Sequence, residues 1–257
     1  MTDSTNNTLL SDRADGVLTL TLNRPDALNA LRPEMLVALA QEIRAADADD
    51  QVSVVVLRGA GRAFSAGVDL KVLQGISAEA GKIGDVFDAP AADVAQAMRE
   101  SSKPVIARVH GACFTGALEI ALHCDFIYAS TETRFGDTHT RFGLRPTWGM
   151  SQTLSRAVGI RRARELSYSG VTFSAAEARA WGLVNQIFED EELLDTALAN
   201  LCSRIAANSA GAVAAMKDLY RIAEEELGIS AGLQSEADSV YPGITDTQER
   251  LDGFKRS

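Results

Sequence analysis

The run "VSVVVLRG" (Val52 to Gly59) limits the fold more than any other stretch. Successive β-branched residues with no polar alternation make a buried strand, which needs cover from other elements. The neighbouring sequence supplies it. "GVLTLTLNRP" (Gly16 to Pro25) alternates apolar and polar residues and ends in a Pro turn, the pattern of a half-buried strand. "PEMLVALAQEIRAADAD" then places Pro33 in a first helical turn, with Leu36, Leu39, Ala40 and Ile43 on one face. "KPVIARVHG" and "CDFIYAS" are two further short strands, with "GALEIALH" a short helix between them. Strands and helices alternate to about residue 136, so an α/β core is expected.

From about residue 149 the pattern turns helical. "MSQTLSRAVG", "IRRARELSYSG" and "SAAEARAWG" read as three helices, the first two closed by glycines. "LVNQIFE" is a last short strand, and residues 190–257 read as helical. The expected organisation is a core over residues 1–189 and a helical region over 190–257 that packs on the core or on a neighbouring subunit. Residues 74–90, rich in Gly, Ala and Asp, read as a mobile loop.

Composition narrows the function. A net charge of −10 argues against nucleic-acid and anionic-membrane partners, which favour a basic face. Three scattered cysteines suit a reducing compartment, and no apolar run reaches membrane-spanning length. The first 16 residues are polar and acidic, unlike a secretory leader, so a cytoplasmic location is expected. The three histidines show no metal-ligand spacing, so no metal is expected.

Two stretches have the makings of a site. "RGAGRAFSAGVDL" (Arg58 to Leu70) is a glycine-rich loop whose backbone N–H groups can hold an anion or a developing oxyanion. It fits neither the dinucleotide fingerprint nor the P-loop, and Ala63 spoils a nucleophile elbow at Ser65. "HGACFTGALEIALHCD" (His110 to Asp125) runs from a strand into a helix beginning near Gly116. Unpaired amides and the helix dipole make that start a good place for an oxyanion. Glu119, one turn in and set between Leu118 and Ile120, is a carboxylate whose pKa burial would raise towards a usable range. The blander role for Glu119 is to favour the helix N-terminus.

With "LNRPDALNAL" (22–31), "AFSAGVDL" (63–70), "KPVIARVHGACFTGALEIALHCDFIYAS" (103–130), "RFGDTHTRFGLRPTWG" (134–149) and "AAEARAWGLVNQIF" (175–188), the chain resembles the crotonase superfamily, the enoyl-CoA hydratase/isomerase family. The resemblance implies a spiral of ββα units, a C-terminal helical region used for trimerisation, often as a dimer of trimers, and an acyl-CoA thioester ligand. It implies no cofactor, coenzyme A being part of the substrate. The oxyanion-hole amides would fall on Ala66 and Gly116, and the water-activating glutamate on Glu119. The second glutamate, which helps place the water and supplies the α proton, would fall where this chain has His139. Arg24, Arg62 and Lys71 fall in segments that line the CoA groove. Ala63, Ser65, Asp69 and Leu70 share the oxyanion-loop motif and are expected near substrate, as is Trp148.

His139 is able to hold a water or exchange a proton near neutral pH. Asp137 shares its face if the segment is extended and can then orient the ring; in a helical turn the two diverge, leaving Asp137 as a cap or as an ion-pair partner for Arg134 or Arg141. His110 and His123 read as structural, Cys113 as a small buried residue, and Phe142 as pocket wall or core. Lys255 is a weak candidate for a neighbour's ligand. The expected activity is hydration of a 2-enoyl-CoA to a 3-hydroxyacyl-CoA. The alternatives are double-bond isomerisation by a single glutamate, a non-catalytic acyl-CoA binder, or a serine hydrolase using Ser65 with His139.

Overall fold

The computed structural model describes residues 8–75, 80–225 and 228–247; Lys255 and part of the expected loop at 74–90 lie outside the described residues. A six-stranded sheet forms the centre. Its order is β1 (Leu9–Ala14), β2 (Val17–Leu22), β3 (Val54–Gly59), β4 (Val105–Val109), β6 (Phe126–Ser130) and β9 (Gln186–Phe188). All neighbours run parallel except β1 and β2, which form a hairpin around Asp15 and Gly16.

The unbroken apolar run of β3 is explained by what covers each face. Val54 and Val56 pack against Leu194, Leu198 and Cys202 of α8 (Glu191–Ala206). Val55 and Leu57 belong to the larger cluster, with Leu36 and Leu39 of α1 (Pro33–Asp47) and Phe87 and Met98 of α3 (Asp85–Glu100). Both faces being dry, neither can carry polar residues. α1 matches its sequence expectation, whereas α3 replaces the end of the loop expected at 74–90.

A second sheet of three-residue strands gives the chain its spiral. It runs β5 (Ala112–Phe114), β7 (Arg134–Gly136), β8 (Thr172–Ser174). After β4 the chain turns into β5 and then α4 (Gly116–Leu122); after β6 it turns into β7 and a tight 3-10 turn over residues 139–142. The segment leaving β3 does the same, bridging Ser65 to Cys113 beside β5 before α2 (Leu70–Leu73). Each ββα unit thus gives its first strand to the large sheet and its second to the small one. The ends of the small-sheet strands converge on one side of the core.

α5 (Met150–Val158), α6 (Ile160–Ser169) and α7 (Ala175–Ala180) follow as expected, with Gly159 and Gly170 closing the first two. α8 is tied to the sheet by Arg108 on β4, which is fully buried. Its guanidinium meets Asp195 at 2.8 Å and Glu191 at 2.9 Å, and donates to His110 Nδ1 at 2.8 Å. Burial holds the His110 pKa below its ordinary value, so Nε2 carries the proton and donates to the Gly61 carbonyl at 2.8 Å. One chain of contacts therefore runs from α8 to the glycine-rich loop. By contrast α9 (Ala210–Glu225) buries only Ala215, and Met216, Tyr220, Leu233 of α10 (Ile229–Asp238) and Val240 are exposed. No helix among the described residues is long and apolar enough to cross a membrane.

Candidate active site

Glu119 is a buried acid, 1% exposed on α4, a helix with six of its seven residues buried. A carboxylate there must find donors or give up its charge. Its Oε1 accepts backbone N–H bonds from Trp148 and Met150, both at 3.1 Å. These amides are available because Gly149, at φ +114, turns the chain sharply into α5. Its Oε2 faces His139 Nε2 at 3.5 Å. Burial raises the Glu119 pKa from 4.5 to about 7, in spite of the opposing influence of His139 and the two amides.

His139 opens the turn over residues 139–142 and is largely buried. An extended segment was expected to bring it to Asp137 and a helical turn to part them; the segment is a turn, and the two meet. Asp137 Oδ1 accepts the His139 backbone N–H two residues on, at 3.3 Å, and the same oxygen accepts Nδ1–H at 2.7 Å. A short polar side chain folding back on its own turn produces this geometry without an extended strand. Burial pushes the Asp137 pKa up, but hydrogen bonds from His139 and the Ser167 hydroxyl outweigh it and hold the carboxyl below its ordinary value. Neither Arg134 nor Arg141 pairs with Asp137.

Glu119 and His139 open onto a cavity of about 100 Å³. Val68, Leu70, Leu73, Ile83 and Leu144 form apolar wall, with Trp148 and the exposed Phe142; Thr115, Thr138, Thr147 and Arg145 add polar edges. Trp148 donates its indole N–H to Asp88 of α3 at 3.0 Å, and its carbonyl accepts from His123 Nε2 at 2.6 Å. A Cβ on Gly116 would lie 2.7 Å from the Trp148 ring, so only glycine lets the indole lie over the start of α4. His123, like His110, is therefore structural. Burial holds the Cys113 thiol well above its ordinary pKa, which leaves it protonated and unreactive.

One sequence expectation needs correcting. The Ala66 amide is already used, donating to the Leu28 carbonyl at 2.9 Å. Beyond it the chain passes through Gly67 at φ +96, where a Cβ would strike the Phe114 carbonyl at 2.8 Å. The next amide, Val68 N–H, makes no protein hydrogen bond among the described residues, and neither does Gly116 N–H. Both residues line the cavity, so the unpaired amides are those of Val68 and Gly116.

The residues expected near substrate separate into groups. Leu70 and Trp148 line the cavity. Arg62 and Lys71 are exposed, and their side chains have no partner among the described residues. Arg24 is not a free cation, since it pairs with Asp69 at 2.8 Å and donates to the Ala30 carbonyl at 2.5 Å. Asp69 in turn caps α2 through the Lys71 amide at 3.0 Å. Ala63 is buried, its carbonyl accepting from Asn29 at 2.7 Å. Ser65 is fully buried, its Oγ accepting from Gly67 N–H at 3.2 Å. That excludes Ser65 as the nucleophile of a hydrolase, because no substrate carbonyl can reach it and His139 is turned to other partners.

Comparison with known proteins agrees with this geometry. The enoyl-CoA hydratase/isomerase family model matches residues 12–255. A probable peroxisomal enoyl-CoA hydratase of Arabidopsis thaliana is 37% identical over 91% of this chain and 87% of its own. The crystal structure of an enoyl-CoA hydratase from Mycobacterium smegmatis superposes with a TM-score of 0.88 at 34% identity, covering 98% of this chain and 97% of that one. A monofunctional enoyl-CoA isomerase, also from M. smegmatis, gives 0.75 at 30% identity over 89% and 99%. With a matching spiral, a matching sequence over nearly its whole length and a buried glutamate beside two unpaired amides, the chain belongs to the enoyl-CoA hydratase/isomerase family.

Proposed function

We propose that the protein is an enoyl-CoA hydratase that adds water across the double bond of a 2-enoyl-CoA thioester to give a 3-hydroxyacyl-CoA. The observation that carries this is Glu119. It is a buried carboxyl with one oxygen fixed by two amides and the other facing an imidazole across a small apolar cavity. Its pKa near 7 suits a base that must gain and lose a proton in neutral solution. The Val68 and Gly116 amides donate to the thioester oxygen, and these bonds strengthen as the β-carbon is attacked and charge moves onto that oxygen. Glu119 takes the proton of the attacking water, and His139 stands in for the second acid–base group. Arg62 and Lys71, exposed beside the oxyanion loop, are the cations available to coenzyme A phosphates. The ligand is an acyl-CoA thioester, and the chemistry calls for no further cofactor.

A second activity is favoured by one observation: among the described residues Glu119 is the only carboxylate lining the cavity, where the hydratase pattern has two. A single base can carry a proton between two carbons, which is double-bond isomerisation. Crotonyl-CoA hydration, followed by loss of the conjugated thioester absorbance, decides between them when run beside conversion of a 3-enoyl-CoA to its 2-enoyl isomer. Faster hydration is the expected result, and isomerisation without hydration would overturn it. We also propose that the protein works in the cytoplasm and that it assembles as a trimer or dimer of trimers, with the exposed Met216, Tyr220 and Leu233 of α9 and α10 at the contact between subunits.

A further inference from the structure

We infer that Asp137 is a positioning residue that fixes the His139 ring through Nδ1–H, making Nε2 the atom that gives a proton to the substrate α-carbon and takes back the proton that Glu119 removes from water. This rests on the hydratase activity proposed above. Asp137 is 1% exposed and is not otherwise used by that chemistry. Among the described residues its only ion-pair partner is the His139 ring, at 2.7 Å. A buried carboxylate needs compensation, and the Nδ1–H of the ring supplies it, which fixes both the tautomer and the orientation of the imidazole. Ser167 of α6 and the His139 backbone amide complete its set of donors and fix its orientation. Nδ1 is committed to Asp137, so only Nε2 is free to exchange a proton. On the other side, Glu119 Oε1 is held by two amides, so only Oε2 is free. The two free atoms lie 3.5 Å apart, too far for a good direct bond but close enough to share one water between them.

The proton count closes on itself. Water oxygen bonds to the β-carbon while its proton goes to Glu119 Oε2, and the π electrons move onto the α-carbon and thioester oxygen as an enolate. His139 Nε2–H protonates the α-carbon, consuming the enolate and leaving a neutral ring. Protonated Glu119 then returns its proton to Nε2, and both groups recover their starting state with one water added to substrate. The groups facing the ring are Glu119 from α4 and Asp137 from the segment after β7. Arg145 lies further along the cavity wall, Arg141 of the same turn is directed to Gly170, and α6 contributes the Ser167 hydroxyl rather than a charge.

Asp137→Asn tests this, with crotonyl-CoA hydration measured across pH on protein shown to be folded by circular dichroism. The expected result is a kcat lower by ~10–100-fold, the scale for losing an orienting partner, with KM changed less than kcat. The alkaline limb of the kcat profile should shift, since Nδ1 loses its carboxylate partner. Ser167→Ala, a milder change should Asp137→Asn misfold, should move the same limb by less. In His139→Gly, added imidazole should restore activity, and it should fail to do so in His139→Gly with Asp137→Asn. An unchanged kcat, or a lower kcat with the wild-type pH profile, would overturn the inference and leave Asp137 a packing residue. Absence of hydration by the wild type would instead overturn the hydratase activity itself.

Discussion

Glu119 shows how a single residue trades stability for chemistry. In the unfolded chain its carboxyl loses its proton near 4.5, and in the folded chain near 7. Between those values the folded state binds more protons, so stability falls as pH rises through that window. The span corresponds to about 3 kcal/mol at most, all of it present above pH 7. Glu119→Gln keeps an oxygen for the Trp148 and Met150 amides but never ionises. Urea denaturation should find this variant more stable than wild type at pH 8, with the advantage shrinking towards pH 5. Hydration should fall by ~10²–10⁴-fold, the usual cost of removing a general base. At this scale the sequence was informative where chemistry depends on side-chain type, as with Glu119 and His139. It misled where backbone direction decides, as with Ala66: nothing in "SAGVD" reveals that Leu28 occupies one amide and that Gly67 turns the next towards the cavity.

Elements divide in the same way. Two elements with strong patterns were readable: α1 from its stripe, β3 from its unbroken run. β5, β7 and β8 were not, because three residues are too few to show a period of two, and the spiral depends on them. α3 was hidden by Pro90, a helix breaker by propensity, which is tolerated because Phe87, Ala91, Val94 and Met98 bury a full stripe against the core. The join between α4 and α5 is the most sensitive contact between elements. Gly116→Ala would place a methyl 2.7 Å from a buried indole whose residue also supplies the Glu119 hydrogen bond. Overpacking of this kind costs about 1–3 kcal/mol. Thermal melts should show that loss, and kcat should fall further than stability alone explains, since Trp148 moves the base with it.

At the scale of the whole molecule, α9 and α10 are poorly covered. Tyr220→Asp should lower the mass measured by light scattering from an oligomer to a monomer while leaving the circular dichroism spectrum in place; an unchanged mass would show that assembly uses another surface. α8 behaves differently, since it completes the single chain. Ending the protein at residue 189 removes Glu191 and Asp195 and strands the buried Arg108 charge, a loss of about 3–5 kcal/mol. Such a truncation should be found only in the insoluble fraction. Every described residue that lines the cavity has been synthesised by Trp148, yet Arg108, which holds the His110 ring against the Gly61 carbonyl, still lacks both of its acids. A ribosome-bound chain stalled before α8 should therefore expose the cavity without being able to hold a thioester. Competence would arrive late in translation and in one step, and a nascent chain would be kept from unprotected chemistry until its own last quarter had docked.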